Sequence, residues 1–365
     1  MFMASEISTD LRTFLQETTD QGPFVTIYLP MEDEQIPEKS KIQIKNLAKH
    51  AEGVMATAWP ESKWETFAPA IDPFINDSLA WADIHGHGFG LITNGKRTYV
   101  QALGNVVNEQ AMVTETPQIL PLLLDNQRHF DFDLLALNID RVEFYHNDGT
   151  TLTPVALPAN PGRMEATIGA ELRGGEKNSV SKGPDELSDQ RRYYTDLDKF
   201  ITDTYSKPHQ RMLILIGLAQ NLRMFHEVSK NLYLSNRYQI EASPVNLTKP
   251  ELDDLVDQMR QEWRKDQFEH ALNRIDRATS QKRYRSDLGQ VVDAVVNGAV
   301  EHLYIQSGAR YNGRIKDMQL EGSSEQAQHN NLLNDLADIV LAFGGKVTLM
   351  NADYFSVPVS AILRY

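Results

Sequence analysis

Between Ala159 and Arg192 the chain runs for some thirty residues without a sustained apolar period, with Arg173-Gly174-Gly175-Glu176-Lys177 near the middle. Such a segment adds nothing to a core. Long loops inside compact domains are uncommon, and most are either functional or disordered. The chain on either side must therefore build its own cores and present the loop between them. An apolar content of 41% over 365 residues supplies the material, and this length suggests two or three domains.

The pattern around the loop supports an α/β, mixed α+β, architecture of three domains, the central and C-terminal ones being sheets flanked by helices. Residues 1–130 are expected to form an N-terminal α+β domain. Pro23 to Leu29 reads as a buried strand, and Glu38 to Ala58 as an amphipathic helix with Ile44, Leu47, Ala48, Ala51, Val54 and Met55 on one face. Asn94-Gly95 reads as a two-residue hairpin turn. Residues 131–283 are the expected central domain, with strands in Phe132 to Tyr145 hinged at Asn138 to Asp140, a strand from Leu152, and a buried strand at Met212 to Gly217. A helix from Pro184 to Tyr205 follows the loop, and a long charged helix begins at Thr248, with Glu251 at capping-box spacing. Residues 284–365 are expected to close the chain as an α/β sandwich, in which Ser307 to Gln328 reads as a polar, mobile surface loop.

The net charge of −14 argues against broad nucleic-acid binding, but it is unevenly spread: −9 over residues 1–131, −2 over 132–283 and −3 over 284–365. The middle of the chain is the part that approaches a phosphate backbone with least repulsion. The absence of cysteine excludes disulfides and cysteine-based zinc sites. No apolar run of about 18 residues is present, and Met1 to Asp20 does not fit a signal peptide. A cytoplasmic protein with no membrane partner and no cofactor is expected.

Candidate binding residues are the cations around the loop, Arg163, Arg173, Lys177, Lys182, Arg191 and Arg192, with a helical stripe of Lys41, Lys45 and Lys49. Each group also has a plainer reading as solvated surface, and Arg191-Arg192-Tyr193-Tyr194 reads equally as an RNA clamp or as an amphipathic helix. His85 and His87 have a metal-ligand spacing but no third ligand, so a structural turn is favoured over a metal site. Gly174 and Gly175 allow positive φ and close backbone approach; alone they are a weak signal.

Four further stretches carry a resemblance by their order: Pro23 to Pro30, Leu135 to Phe144, Leu213 to Gly217, and Val291 to Val300, with Gly344-Gly345-Lys346-Val347 through Tyr365 at the close. Together they resemble the archaeo-eukaryotic peptide-chain release factor and Pelota superfamily, most of all its bacterial branch, over nearly the whole chain. The resemblance implies that the polar segment corresponds to the family's Gly-Gly-Gln loop, in which the glutamine helps water attack the peptidyl-tRNA ester. Here Gly174 and Gly175 are followed by Glu176. The backbone N–H at 176 survives as an oxyanion donor, and a carboxylate can serve as a general base, but it stands as an anion near phosphates. The N-terminal segment lacks the family's Asn-Ile-Lys-Ser and cysteine-bearing motifs, so stop-codon reading is not expected. The implied partners are the ribosome or the tRNA acceptor end, and a translational GTPase. Three readings stay open: a factor for ribosome rescue, recycling or protection; a peptidyl-tRNA or RNA hydrolase acting through Gly174, Gly175 and Glu176; and a protein-interaction module that kept the fold.

Overall fold

Alternating apolar residues decide the architecture of the computed structural model, which describes residues 9–18, 22–31, 37–138, 142–149, 151–157 and 184–365. The first segment contains α1 (Thr9–Glu17), β1 (Phe24–Pro30), α2 (Pro37–Ala58), α3 (Ala68–Asn76), β2 (Gly88–Thr93), β3 (Thr98–Leu103), β4 (Gln110–Thr114) and α4 (Leu120–Arg128). Its antiparallel sheet has the order β3-β2-β1-β4. Successive side chains of a strand point to opposite faces. Val25, Ile27 and Leu29 accordingly pack with Ile44, Ala51 and Met55 of α2, while Phe24 and Tyr28 join a second cluster. The Asn94 turn is longer than the expected two residues: Thr93 pairs with Thr98, and the Asn94 carboxamide accepts from the N–H groups of Lys96 and Arg97 at 3.0 and 2.8 Å. The side chain does the work of the tighter turn.

The middle segment contains β5 (Asp131–Leu137), β6 (Val142–Asp148), β7 (Leu152–Val155), α5 (Pro184–Ile201), β8 (Met212–Gly217), α6 (Ala219–Val228), β9 (Leu234–Glu241) and the long helix α7 (Lys249–Ser280). The sheet order is β7-β6-β5-β8-β9, antiparallel on the β6–β7 side and parallel through β5, β8 and β9. Leu135, Leu137, Leu213 and Leu215 face α5 and α6, burying Tyr193, Tyr194, Leu197, Leu222 and Phe225. The alternate residues Leu134, Ala136, Ile214 and Ile216 face Val256 and Met259 of α7. Helices thus cover both faces of one sheet, as its parallel strands require.

The last segment contains β10 (Tyr284–Arg285), α8 (Leu288–Val296), β11 (Val300–Gln306), β12 (Arg314–Lys316), β13 (Gln319–Glu321), α9 (Glu325–His329), α10 (Leu332–Ala342), β14 (Lys346–Met350) and β15 (Val359–Leu363). Its main sheet runs β10-β15-β11-β14. The end of α7 covers one face through Ala271, Ile275 and Ala278, which pack with Tyr304, Met350 and Ile362. The chain is thus mixed α+β, with one main sheet in each of its three segments and helices flanking them.

These segments form two compact units. One is continuous, residues 129–267; the other combines the described residues up to Arg128 with 268–365. In the discontinuous unit, Tyr28, Ile92, Leu122 and Leu123 share an apolar cluster with Leu303, Leu333, Leu336 and Val347. Around it lies a polar seam. Asn334 accepts from the Ile119 N–H at 2.6 Å and donates to the Pro117 carbonyl at 2.8 Å. Buried Asp335 accepts from the Thr116 hydroxyl, the Ile315 N–H and the Asn330 amide at 2.9, 2.9 and 2.8 Å. Arg314 reaches Glu115 at 2.9 Å and also pairs with Glu321. Gln127 donates to the Val347 carbonyl and accepts from the Leu349 N–H, both at 2.9 Å, which satisfies backbone groups of β14, an edge strand. The stretch Ser307 to Gln328 is therefore not the free loop its polarity suggests. It holds the β12–β13 hairpin and a buried Arg314, and that arginine is polar because it pairs across the seam.

Candidate functional site

The expected catalytic residues Gly174, Gly175 and Glu176, and the cations Arg163, Arg173, Lys177 and Lys182, lie outside the described residues. The flanks of that segment are described. Val155 stands opposite Phe144, and Phe144 opposite Leu135, so β7 carries the chain toward the carboxyl end of β5. On the return side, Gln190 of α5 donates to Asn221 at 3.2 Å, in the first turn of α6 just past the carboxyl end of β8. Eight residues later Asp198 accepts from the Lys230 N–H at 2.8 Å, ahead of β9. Helix α5 therefore runs from the carboxyl ends of the parallel strands toward their amino ends. Leu157 and Pro184 both stand at the carboxyl end, where open α/β sheets place their ligand crevices.

At that rim, α6 begins after Leu218 without a side-chain cap. Its first backbone N–H groups have no intrahelical acceptor, which favours negative charge there. Asn221 is buried beside them, and its amide nitrogen has no hydrogen-bond partner among the described residues. Arg191 and Arg192 are exposed on α5. Arg191 pairs with Glu227 of α6 at 2.6 Å, while Arg192 has no ion pair with a described residue. Tyr193 and Tyr194 turn the other way and are buried against Leu197 and Phe225. A nucleotide cannot stack on them; the amphipathic reading of this helix holds, because core positions recur at 190, 193, 194, 197 and 201.

The lysine stripe lies in the other unit. Lys41 donates to Glu38 at 3.0 Å and to Ser78 at 2.6 Å, leaving its side chain 14% exposed, whereas Lys45 and Lys49 are exposed on α2. His85 and His87 are also exposed. The glycines around them answer to packing. A Cβ at Gly86 would lie 2.4 Å from the Leu103 carbonyl oxygen, and one at Gly90 would lie 2.9 Å from the Tyr28 ring. Among the described residues, no group of three or more His, Asp or Glu side chains is placed to hold a metal ion.

One cluster had no reading in the sequence. At the amino end of β5, Asp133 is buried with one carboxylate oxygen 3.1 Å from His146 Nδ1 and 3.8 Å from Arg211. Asp131 pairs with Arg211 at 3.1 Å. Burial raises the Asp133 pKa, opposed by the His146 hydrogen bond and the Arg211 charge. The signal was present in Asp131 and Asp133, two acids on the strand face that continues as Leu135 and Leu137. The cluster stands at the opposite end of the strands from the loop flanks. It clamps the start of β8 to β5 and β6.

Residues 130–262 match the model of the family described as bacterial archaeo-eukaryotic release factor family 6. The match covers the central region of the chain, which is thus similar to a release-factor-type domain of the bacterial branch. No curated protein matches the chain in sequence. Among solved structures, an archaeal translation termination factor, aRF1, is 11% identical, with 98% of this chain and 97% of that one covered and a TM-score of 0.25. Saccharomyces cerevisiae Dom34, described as a translation termination-like factor involved in RNA quality control pathways and interacting with Hbs1, is 12% identical over 74% of this chain and 72% of its own, with a TM-score of 0.38. An archaeal Pelota described as ribosome-bound with ABCE1 is 10% identical over 100% and 95%, with a TM-score of 0.41. Scores this low establish no common arrangement of the whole chains. Among the described residues no helix is long and apolar enough to cross a membrane.

Proposed function

We propose that the chain is a ribosome-associated translation factor of the release factor and Pelota type, acting in rescue, recycling or protection of ribosomes without reading stop codons. The observation that carries this reading is the family match over residues 130–262, which contains the whole polar segment. Both described flanks of that segment stand at the carboxyl end of the parallel strands, an arrangement suited to presenting it outward. Gly174, Gly175 and Glu176 then approach the tRNA acceptor end or an empty site, with Arg163, Arg173, Lys177, Lys182 and Arg192 toward phosphate. The reading keeps three functional segments, 1–130, 131–283 and 284–365, and a cytoplasmic location. Its partners on this reading are the ribosome or the tRNA acceptor end, and a translational GTPase. Co-sedimentation with 70S particles and 50S subunits tests it: salt-sensitive association is expected, and its absence at low salt sinks the proposal.

A second reading, ester hydrolysis, is favoured by the paired glycines before Glu176. Peptidyl-tRNA turnover by wild type, Glu176→Gln and Gly175→Ala decides it. Equal background rates in all three leave a factor that occupies its site without chemistry. Ribosome-free capture of a protein partner that survives RNase supports the third reading, a protein-interaction module.

A further inference from the structure

The discontinuous unit contains a cavity of about 330 Å³, walled by the segment after β3, helix α4, the turn after β11 and Leu349 of β14. That volume is within the range of small-molecule sites. The lining has an unusual charge balance. The chain carries 50 acidic and 36 basic side chains, yet the cavity is lined by Arg128 and Arg310 and by no Asp or Glu. Val107, Met112, Leu120 and Leu124 give it an apolar wall beside these two.

Neither arginine forms an ion pair with a described residue. The Arg128 guanidinium makes one long contact, 3.5 Å to the Asn105 carboxamide oxygen. The carboxylate nearest in sequence, Asp125, accepts instead from the backbone and side chain of Asn105 at 3.1 and 2.8 Å. Arg310 donates to the His329 carbonyl at 3.1 Å and forms no ion pair with a described residue. Burial lowers the Arg128 pKa, and the Asp125 charge opposes this only in part. A guanidinium stays charged in a protein, so a counter-ion, not deprotonation, relieves this cost.

We propose that this cavity binds a small amphipathic anion, a phosphate ester with a short apolar body. The phosphate meets Arg128 and Arg310, and the body lies along Val107, Met112, Leu120 and Leu124. Two guanidinium groups offer more donors than the two oxygens of a carboxylate accept, and the three free oxygens of a phosphate monoester match them better. Both halves of the discontinuous unit wall the cavity, so occupancy joins them. The site is independent of the loop in the central unit and of the ribosome reading.

Isothermal titration of the full chain with hexyl phosphate, hexanol and inorganic phosphate tests the proposal. Hexyl phosphate is expected to bind at one per chain, more tightly than inorganic phosphate, and hexanol to show no saturable binding. Arg128→Gln and Arg310→Gln are each expected to weaken hexyl phosphate by roughly tenfold or more, the loss of one charge-assisted contact. Arg310 is exposed, so its variant stays informative even if the Arg128 variant folds poorly, and Leu124→Trp blocks the apolar wall with both charges kept. No saturable uptake of hexyl phosphate by wild type overturns the proposal. So does equal binding by wild type and the Arg310 variant, or equal uptake of hexanol.

Discussion

The two compact units are held together in different ways. In residues 129–267 one sheet is covered on both faces, and the buried side chains of β5 and β8 are almost all aliphatic or aromatic. In the discontinuous unit, two four-stranded sheets share an apolar cluster, but their joint is lined by buried Gln118, Arg314, Asn330, Asn334 and Asp335. In the one-sheet unit, buried polar side chains such as Asp133, Gln190 and Asn221 stand at the ends of the strands, because sheet and helices satisfy their own backbone between them. A joint between remote segments must also satisfy backbone groups of irregular chain, such as the Ile119 N–H and the Pro117 carbonyl, and amides do that. The difference predicts that the first unit fails through cavities and the second through unsatisfied polar groups.

The largest effect should come from Leu215→Ala, at a fully buried position of β8. A cost of about 2–5 kcal/mol is expected. Hydrogen exchange read by peptide should lose protection in β5, β8 and β9 and keep it in β1 and β11; equal loss everywhere would erase the distinction between the units. Next comes Asn334→Ala, which removes both bonds across the seam and leaves a buried N–H and carbonyl unpaired, at about 2–4 kcal/mol. Protection should fall together in residues 9–128 and 268–365. A loss confined to 268–365 would show that the two segments are not one cooperative unit.

Within the discontinuous unit two buried groups respond to pH in opposite directions. His302 stacks on Tyr304 at 4.3 Å and contacts the Thr348 hydroxyl at 2.7 Å. Burial, with the Arg274 and Lys346 charges, lowers its pKa to about 3. The unfolded chain takes up this proton near 6.5 and the folded chain does not, so the contribution is present above 6.5 and is lost as pH falls toward 3. The slope is at most about 1.4 kcal/mol per pH unit. Asp335 runs the other way: burial pushes it from 3.8 up to about 6, so its contribution improves as pH falls through that window. Urea melts of wild type and His302→Phe between pH 7 and 5 should therefore differ in slope, with the variant flatter; parallel curves would remove His302 from the account. The smallest effect is expected for Arg191→Ala. Its pair with Glu227 is about half exposed on both sides, so stability should change by less than about 1 kcal/mol, while ribosome co-sedimentation should weaken if α5 faces phosphate.

The central unit was the more legible in the sequence. Unbroken apolar runs at Leu134 to Leu137 and Leu213 to Ile216 mark strands buried on both faces. The Thr248 start of α7 is visible in the capping pair, where Glu251 accepts from the Thr248 N–H and hydroxyl at 2.8 and 2.7 Å. In the discontinuous unit the helix stops were legible too: Gly298 and Gly344 are glycines with φ of 66° and 71°. The joint between the two segments of that unit was not legible. Asn334 and Gln118 carry no local signature, since their partners lie more than 200 residues away in the chain. For the same reason Ser307 to Gln328 read as surface. The Asp133–His146–Arg211 cluster was hidden because cross-strand register brings it together, not proximity in sequence. Of the candidate loop, sequence gives the residue types and structure gives its flanks.

A discontinuous unit also sets an order on synthesis. The ribosome makes residues up to Arg128 first, with Tyr28, Ile92, Leu122 and Leu123 directed at partners that do not yet exist. At roughly 5–20 residues per second, tens of seconds pass before Leu333, Leu336 and Val347 are made. The central unit, complete by Gln267, is free to close on the nascent chain in that interval. The first segment meanwhile keeps uncovered the apolar face that Leu333, Leu336 and Val347 later bury.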